Sequence, residues 1–254
     1  MTLTRENYHS QGANLAYFSV SQVKAFAACE AAAMADLRGE TVREETSALL
    51  VGSYVDAHFS QEMDLFKAQH PQLFKRDGTL KAEFLQANEI IARIERDPFF
   101  MKYLSGEKQV IKVGKLFGLP FKTRMDSYFK GKAIVDLKIM RDFEPIYVPG
   151  AGRLNFVEAW GYDLQGAVYQ AVEGNSLPFY IAAATKEKTT DIEVLQVPQH
   201  LMDAALVVLE HRIERMDAVK CGKSEPVRCE KCDYCKGTKV LTGAIDLDEW
   251  RASE

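Results

Sequence analysis

The chain has 254 residues, 47% of them hydrophobic, enough to bury one sizeable core. Its formal net charge of −4 advertises no polyanionic partner globally, and no run reaches the ~18–20 consecutive apolar residues of a membrane span. The opening MTLTRENYHS lacks the charged and apolar regions of a secretion signal, so the expectation is a soluble cytoplasmic protein without membrane contacts.

In chain order, Ser19 begins S-V-S-Q, a capping-box pattern that predicts a helix from residue 19 to about 38, with Gly39 placed to end it. A second helical region is predicted over 46–69, carrying Leu50, Tyr54, His58, Leu65 and Phe66 before Pro71 stops it. A third, over 80–96, ends before Asp97-Pro98. The period then changes. Residues 110–117, 121–129 and 133–140 alternate as strands, separated by the turns Gly118-Leu119-Pro120 and Lys130-Gly131-Lys132, which predicts an antiparallel meander. Asn155 with Glu158 starts a helix running to about 173. Strands over 180–185 and 192–197 and a long amphipathic helix over 198–220 complete an α/β arrangement: a central mixed sheet flanked by helices.

The meander carries the chemistry. Asp136 and Lys138 alternate onto one face of the last strand, and the tight connection brings Asp126 onto the neighbouring strand within reach. An Asp between Val135 and Leu137 is costly unless a partner or metal compensates it, and two such carboxylates repel unless a cation sits between them. Mg²⁺ or Mn²⁺ suits that role, since a hard ion held by one or two carboxylates also accepts phosphate oxygens and activates water. The pattern therefore points to phosphodiester hydrolysis, with Lys138 orienting or deprotonating the water or stabilising the transition state. A surface Asp–Lys ion pair is the plainer reading of the same spacing. Residues 109–141 also hold eight Lys or Arg against two Asp, a local positive field that suits nucleic acid, although water-facing strands often carry Lys too. Lys122 and Arg124, on the Asp126 face, are candidates for DNA phosphates.

Of five cysteines, Cys229, Cys232 and Cys235 are spaced by two residues, Cys221 lies just before them and Cys29 stands alone. Three close thiolates point to metal, and a tetrahedral site needs a fourth ligand, either Cys29 or Cys221. Unmetallated thiols are the remaining reading.

R-M-D-S-Y-F followed by I-V-D-L-K resembles the core of the PD-(D/E)XK nucleases, with Asp126, Asp136 and Lys138 in the signature positions and Met125 where the literal motif has proline. G-S-Y-V-D-A-H, with Gly52 and His58, and Q-G-A-V-Y, with Gln165 and Tyr169, resemble the RecB-like branch. The C-terminal C-x-x-C-D-Y-C is similar to the exodeoxyribonuclease VIII-like proteins of phages and prophages. The resemblance covers about residues 15–240. It implies a restriction-endonuclease-like fold in a single domain over 1–254, with a helical part at 19–100, a catalytic core at 107–200 and a cysteine segment at 221–240. It implies a metal site built from His58, Asp126, Asp136 and the Leu137 carbonyl, with Gln165 and Tyr169 acting together on a phosphate or on Lys138. Glu107 is a candidate accessory acid.

The implied activity is 5′→3′ degradation of linear duplex DNA by a ring-like homo-oligomer encoded by a phage or prophage, in concert with a phage single-strand annealing protein. Related nucleases place one cysteine before the core and three after it around a [4Fe–4S] cluster, which would make Cys29, Cys229, Cys232 and Cys235 its ligands. Two other readings stay open: an iron–sulfur single-strand DNA exonuclease of the CRISPR-associated type, and a non-catalytic DNA-binding scaffold with a cysteine-bound metal.

Overall fold

The computed structural model describes residues 2–41, 45–241 and 243–248. Seven helices come first: α1 (Gln11–Ala16), α2 (Val20–Ala28), α3 (Glu30–Arg38), α4 (Ser47–Phe59), α5 (Met63–Gln69), α6 (Ala82–Glu95) and α7 (Pro98–Tyr103). The meander follows as β1 (Glu107–Leu116), β2 (Leu119–Phe129) and β3 (Ala133–Met140). After a small hairpin, β4 (Ile146–Val148) and β5 (Gly152–Leu154), come α8 (Phe156–Ala159), α9 (Tyr162–Glu173), β6 (Phe179–Thr185), β7 (Ile192–Gln196), α10 (Gln199–Lys220) and α11 (Asp233–Gly237).

Five strands form one mixed sheet in the order β1-β2-β3-β6-β7, with β3 and β6 parallel and the other neighbours antiparallel. Strand alternation divides the central residues between two cores. Ile134, Ile181 and Ala183 join Val168, Tyr169, Leu209 and Ile213 on the α9/α10 side, whereas Val135, Leu137, Ala182 and Ala184 join Val55, Phe84, Ile90 and Ile94 on the α4/α6 side. Near-continuous apolar runs in β3 and β6 follow from this, because both faces of the sheet are covered. The result is the helix-flanked mixed sheet of the restriction-endonuclease-like architecture.

Three predicted helices are each two. The first breaks at Cys29, whose extended backbone (φ −165°, ψ 112°) ends α2 while its sulfur caps Ala32 N–H at the start of α3. The second breaks at 60–62, where Gln61 is left-handed (φ +64°), and the helix predicted from Asn155 to about 173 breaks at Gly161 (φ +61°). The β4–β5 hairpin and α1 went unpredicted. Close packing positions α9. At Gly166 an added Cβ would lie 2.6 Å from both the Met202 sulfur and the Phe179 ring, so only glycine lets this helix approach β6 so closely.

Candidate metal and nucleic-acid cleft

The β2–β3 ladder pairs Phe129 with Ala133, Tyr128 with Ile134 and Ser127 with Val135. Continuing that register would set Asp126 opposite Asp136, and there the regular pairing stops. Instead of a backbone carbonyl, the Leu137 N–H finds Asp126 Oδ2 at 2.9 Å. Within a strand the N–H and C=O of one residue project to the same side, so the Leu137 carbonyl faces the same opening. The parted strands thereby form a cleft of about 460 Å³ lined by Asp56, Arg124, Asp126, Asp136, Leu137, Lys138, Gln165 and Tyr169, among others.

α9 holds the parted strands from one side. Gln165 Nε2 donates to Asp136 Oδ1 at 2.7 Å, and Tyr169 Oη donates to the Arg124 carbonyl at 2.9 Å. One turn of helix thus grips both strands. Neither side chain bonds Lys138, whose ammonium makes an ion pair with Asp136 Oδ2 and lies 4.8 Å from the centre of the Tyr162 ring. Apart from that contact, the buried Asp136 Oδ2 has no partner among the described residues.

Asp56, on the opposite helical layer, supplies a third carboxylate that the sequence reading passed over. Gln109 Nε2 reaches both Asp56 Oδ1 (3.4 Å) and Asp126 Oδ1 (3.3 Å). Burial raises the Asp126 carboxyl well above the usual range, reinforced by repulsion from Asp136 and Asp56. Burial also raises Asp56, with Arg124 opposing and Asp136 adding repulsion. Burial alone would depress Lys138, yet Asp136, Tyr162 and Asp126 hold its ammonium above the usual lysine range. Three crowded acids and a strand carbonyl are the donor set of a hard divalent cation, and Asp56, Asp126, Asp136 and Leu137 fit that ion.

Two expected site residues, His58 and Glu107, lie elsewhere, and a third, Lys122, lines the cleft with its ammonium already committed. His58 is two residues beyond Asp56, about 200° around the helix, and its Nε2 pairs with Glu95 Oε1 at 2.8 Å in a separate hollow shared with Glu107 and Lys108. It therefore does not join the acids, and neither does Glu107. Lys122 is 1% exposed, and its ammonium is consumed by the Tyr8 carbonyl and by Asn14 Oδ1 at 2.7 Å, with the Tyr8 ring 4.6 Å away. It lines the cleft wall, but these bonds tie its ammonium to the N-terminal segment. Arg124 also lines the cleft.

The basic cluster of the meander is also partly spent, since Lys112 pairs with Glu173 at 3.0 Å. A cation not foreseen replaces some of it. Lys24 of α2 enters the same cleft beside the Tyr162 ring, and burial together with the nearby Lys138 lowers its ammonium to about 8.

At the far end of α2, the thiols of Cys29, Cys229, Cys232 and Cys235 lie within 4.8 Å of one another, whereas Cys221 is exposed and hydrogen-bonds Asp217. Four converging thiols form a group able to bind a metal. Contacts around α3 help position the thiols. Glu30 takes two bonds from Arg215 (3.0 and 2.8 Å) and one from Val227 N–H (2.8 Å), and the Ala31 N–H bonds the Val227 carbonyl at 3.1 Å. The N–H groups of Lys231 and Cys232 lower the Cys229 thiol to about 6, which favours the thiolate a metal requires.

A mixed sheet whose central strands part at two aspartates, with D-x-K on one strand and a Gln/Tyr helix clamping both, defines a PD-(D/E)XK-type domain. The chain belongs to the family described as "PDDEXK-like domain of unknown function (DUF3799)", matched over residues 19–238. It is similar along its whole length to a crystal structure from Eubacterium rectale described as a "putative exonuclease", with 48% identity, a TM-score of 0.96 and 100% of each chain covered. No curated protein matches.

Proposed function

We propose that the protein is a divalent-metal-dependent DNA exonuclease acting on linear duplex DNA. The observation that carries this reading is the placement of Asp56, Asp126, Asp136 and Lys138 at the point where β2 and β3 part. Asp56, Asp126, Asp136 and the Leu137 carbonyl would hold Mg²⁺ or Mn²⁺. When bound, such an ion lowers the pKa of water and offsets charge on the scissile phosphate.

The chain's own groups do the rest. Gln165 fixes Asp136 through Oδ1, and Tyr169 holds β2 at Arg124, so the acids keep their places when substrate enters. Lys138, charged and backed by the Tyr162 ring beside the acids, would stabilise negative charge developing in the pentavalent transition state. Arg124 and Lys24 line the same cleft and suit flanking phosphates. Among the described residues no helix is long and apolar enough to cross a membrane.

The likeness to exodeoxyribonuclease VIII-like proteins supports 5′→3′ polarity, a homo-oligomer and a partner annealing protein in phage-type recombination. The four convergent thiols favour a second reading, in which the same acids act on single-stranded DNA and the cysteines hold a [4Fe–4S] cluster. An intact set of acids and lysine argues against a catalytically idle scaffold.

Three substrates separate these readings: covalently closed circles, linear duplexes labelled at one 5′ or one 3′ end, and single strands, each with Mg²⁺ or without divalent ions. The expected result is Mg²⁺-dependent release of the 5′ label first from linear duplex, with circles spared and Asp136→Ala inactive. Cutting of circles would overturn the exonuclease assignment, and preference for single strands would select the second reading.

A further inference from the structure

We propose that Gln109 is a positioning residue for the cation site: its side-chain amide fixes Asp56 against Asp126 and so presets the spacing into which a divalent ion fits. The inference rests on the reading of these acids as a metal site.

Five observations converge on this residue. Gln109 is 4% exposed, so its amide is committed to its surroundings. Its one nitrogen lies within hydrogen-bond distance of a carboxylate on α4 and of another on β2, linking the helical layer to the sheet across the cleft. Among the described residues this is Asp56's side-chain hydrogen bond, so nothing else of that kind orients the third acid.

The amide makes these contacts at a cost. Its Oε1 is buried without a partner, and turning the group over to relieve that oxygen would point it at two carboxylates. The acids therefore dictate its orientation.

The backbone is bent to match. Gln109 has φ +53° in mid-strand, between Lys108 paired with Ser127 and Val110 paired with Met125. A left-handed non-glycine residue inside a ladder is strained, and strain of this kind gathers at functional sites. The ladder resumes in register on both sides, so the distortion is not a slipped strand. Its effect is local, and it accompanies an amide seated between the two acids. No other side chain among the described residues bonds both Asp56 and Asp126.

A residue that orients metal ligands typically changes metal affinity ten- to a hundredfold when removed. The test is Mn²⁺ binding to the full chain without DNA, by calorimetry or electron paramagnetic resonance, alongside thermal unfolding. Mn²⁺ favours oxygen donors, so the thiol group does not compete for it. Gln109→Gly removes the amide and relieves the left-handed strain. The expected result is unchanged or higher thermal stability without metal, with Mn²⁺ affinity lowered about ten- to a hundredfold. Gln109→Glu keeps the side-chain length but replaces the donor by a fourth acid, so it should unfold earlier without metal and gain more than wild type from Mn²⁺.

Wild-type affinity in Gln109→Gly, or a loss of stability with affinity intact, would reduce Gln109 to a packing residue and overturn the proposal while leaving the nuclease reading in place. Mn²⁺ binding that is absent from wild type, or unchanged by Asp136→Asn, would overturn the metal site itself and this proposal with it.

Discussion

Replacing Asp126 by asparagine should stabilise the protein in divalent-free buffer and abolish its stabilisation by Mn²⁺. Gln109 Nε2 lies within 3.4 Å of oxygens on both Asp56 and Asp126, so those oxygens are less than about 7 Å apart. At an effective dielectric of about 20, that separation corresponds to roughly 2 kcal/mol of repulsion between charged groups. Asp136 repels Asp126 as well and Lys138 attracts it, so the balance left is again about 2 kcal/mol. Asparagine keeps a carbonyl for the Leu137 N–H but loses the charge assistance, a loss of about 1 kcal/mol.

The net gain of about 1 kcal/mol raises Tm by about 2–4 °C for a chain of this size. The pH dependence has a definite sign. Because the folded carboxyl is raised above its unfolded value of about 3.9, the folded state holds the extra proton between that pH and its own raised pKa, and stability falls as pH rises through the window. The advantage of Asp126→Asn is therefore small in acid and full above that window. Saturating Mn²⁺ should reverse the ranking, since binding at a hundred times Kd adds about 2.7 kcal/mol to wild type alone. Thermal unfolding followed by circular dichroism, with and without Mn²⁺ at several pH values, reads all of this. An Asp126→Asn protein less stable than wild type without divalent ions would refute the electrostatic account of the cleft.

Two further outcomes probe the framework around the site. Gly166→Ala should lose about 1–3 kcal/mol in denaturant unfolding, because the ring of Phe179, fully buried, cannot yield to a Cβ 2.6 Å away; this outweighs the usual helical preference for alanine of about 1 kcal/mol. Cys29→Ser should strip the metal from the thiol group, read as iron or zinc content and as absorbance near ~400 nm in anaerobic protein, whereas Cys221→Ser should leave both unchanged. Loss of metal in Cys221→Ser with retention in Cys29→Ser would contradict the assigned set.

What was legible in the sequence was local. Strand alternation and a three-residue turn suffice to bring Asp126, Asp136 and Lys138 together, whereas ligand count left Cys29 and Cys221 both open as the fourth thiol and the family resemblance pointed to Cys29. The readings that went astray depended on helix phase or on distant chain. His58 entered through the family resemblance, whereas the helical period puts Asp56, one turn from Gly52, on the cleft-lining face. That signal was available. Lys122 could not be read correctly from its neighbours, because the groups that bury it come from residues 8 and 14, more than 100 positions away. The breaks at Cys29, Gln61 and Gly161 were hidden inside continuous apolar periodicity, since nothing local says that a helix must turn to aim a thiol or to reset an approach to the sheet.

The most direct test of the central claim compares wild type with Asp136→Asn on end-labelled linear duplex DNA under single-turnover conditions, with Mg²⁺ and without divalent ions. Asparagine preserves the shape around Gln165 and Lys138 while removing a ligand charge, so DNA binding should persist and the cleavage rate should fall about a thousandfold or more, given the several kcal/mol that a metal contributes to such a transition state. Mg²⁺-dependent cleavage at the wild-type rate by Asp136→Asn would show that the chemistry is done elsewhere.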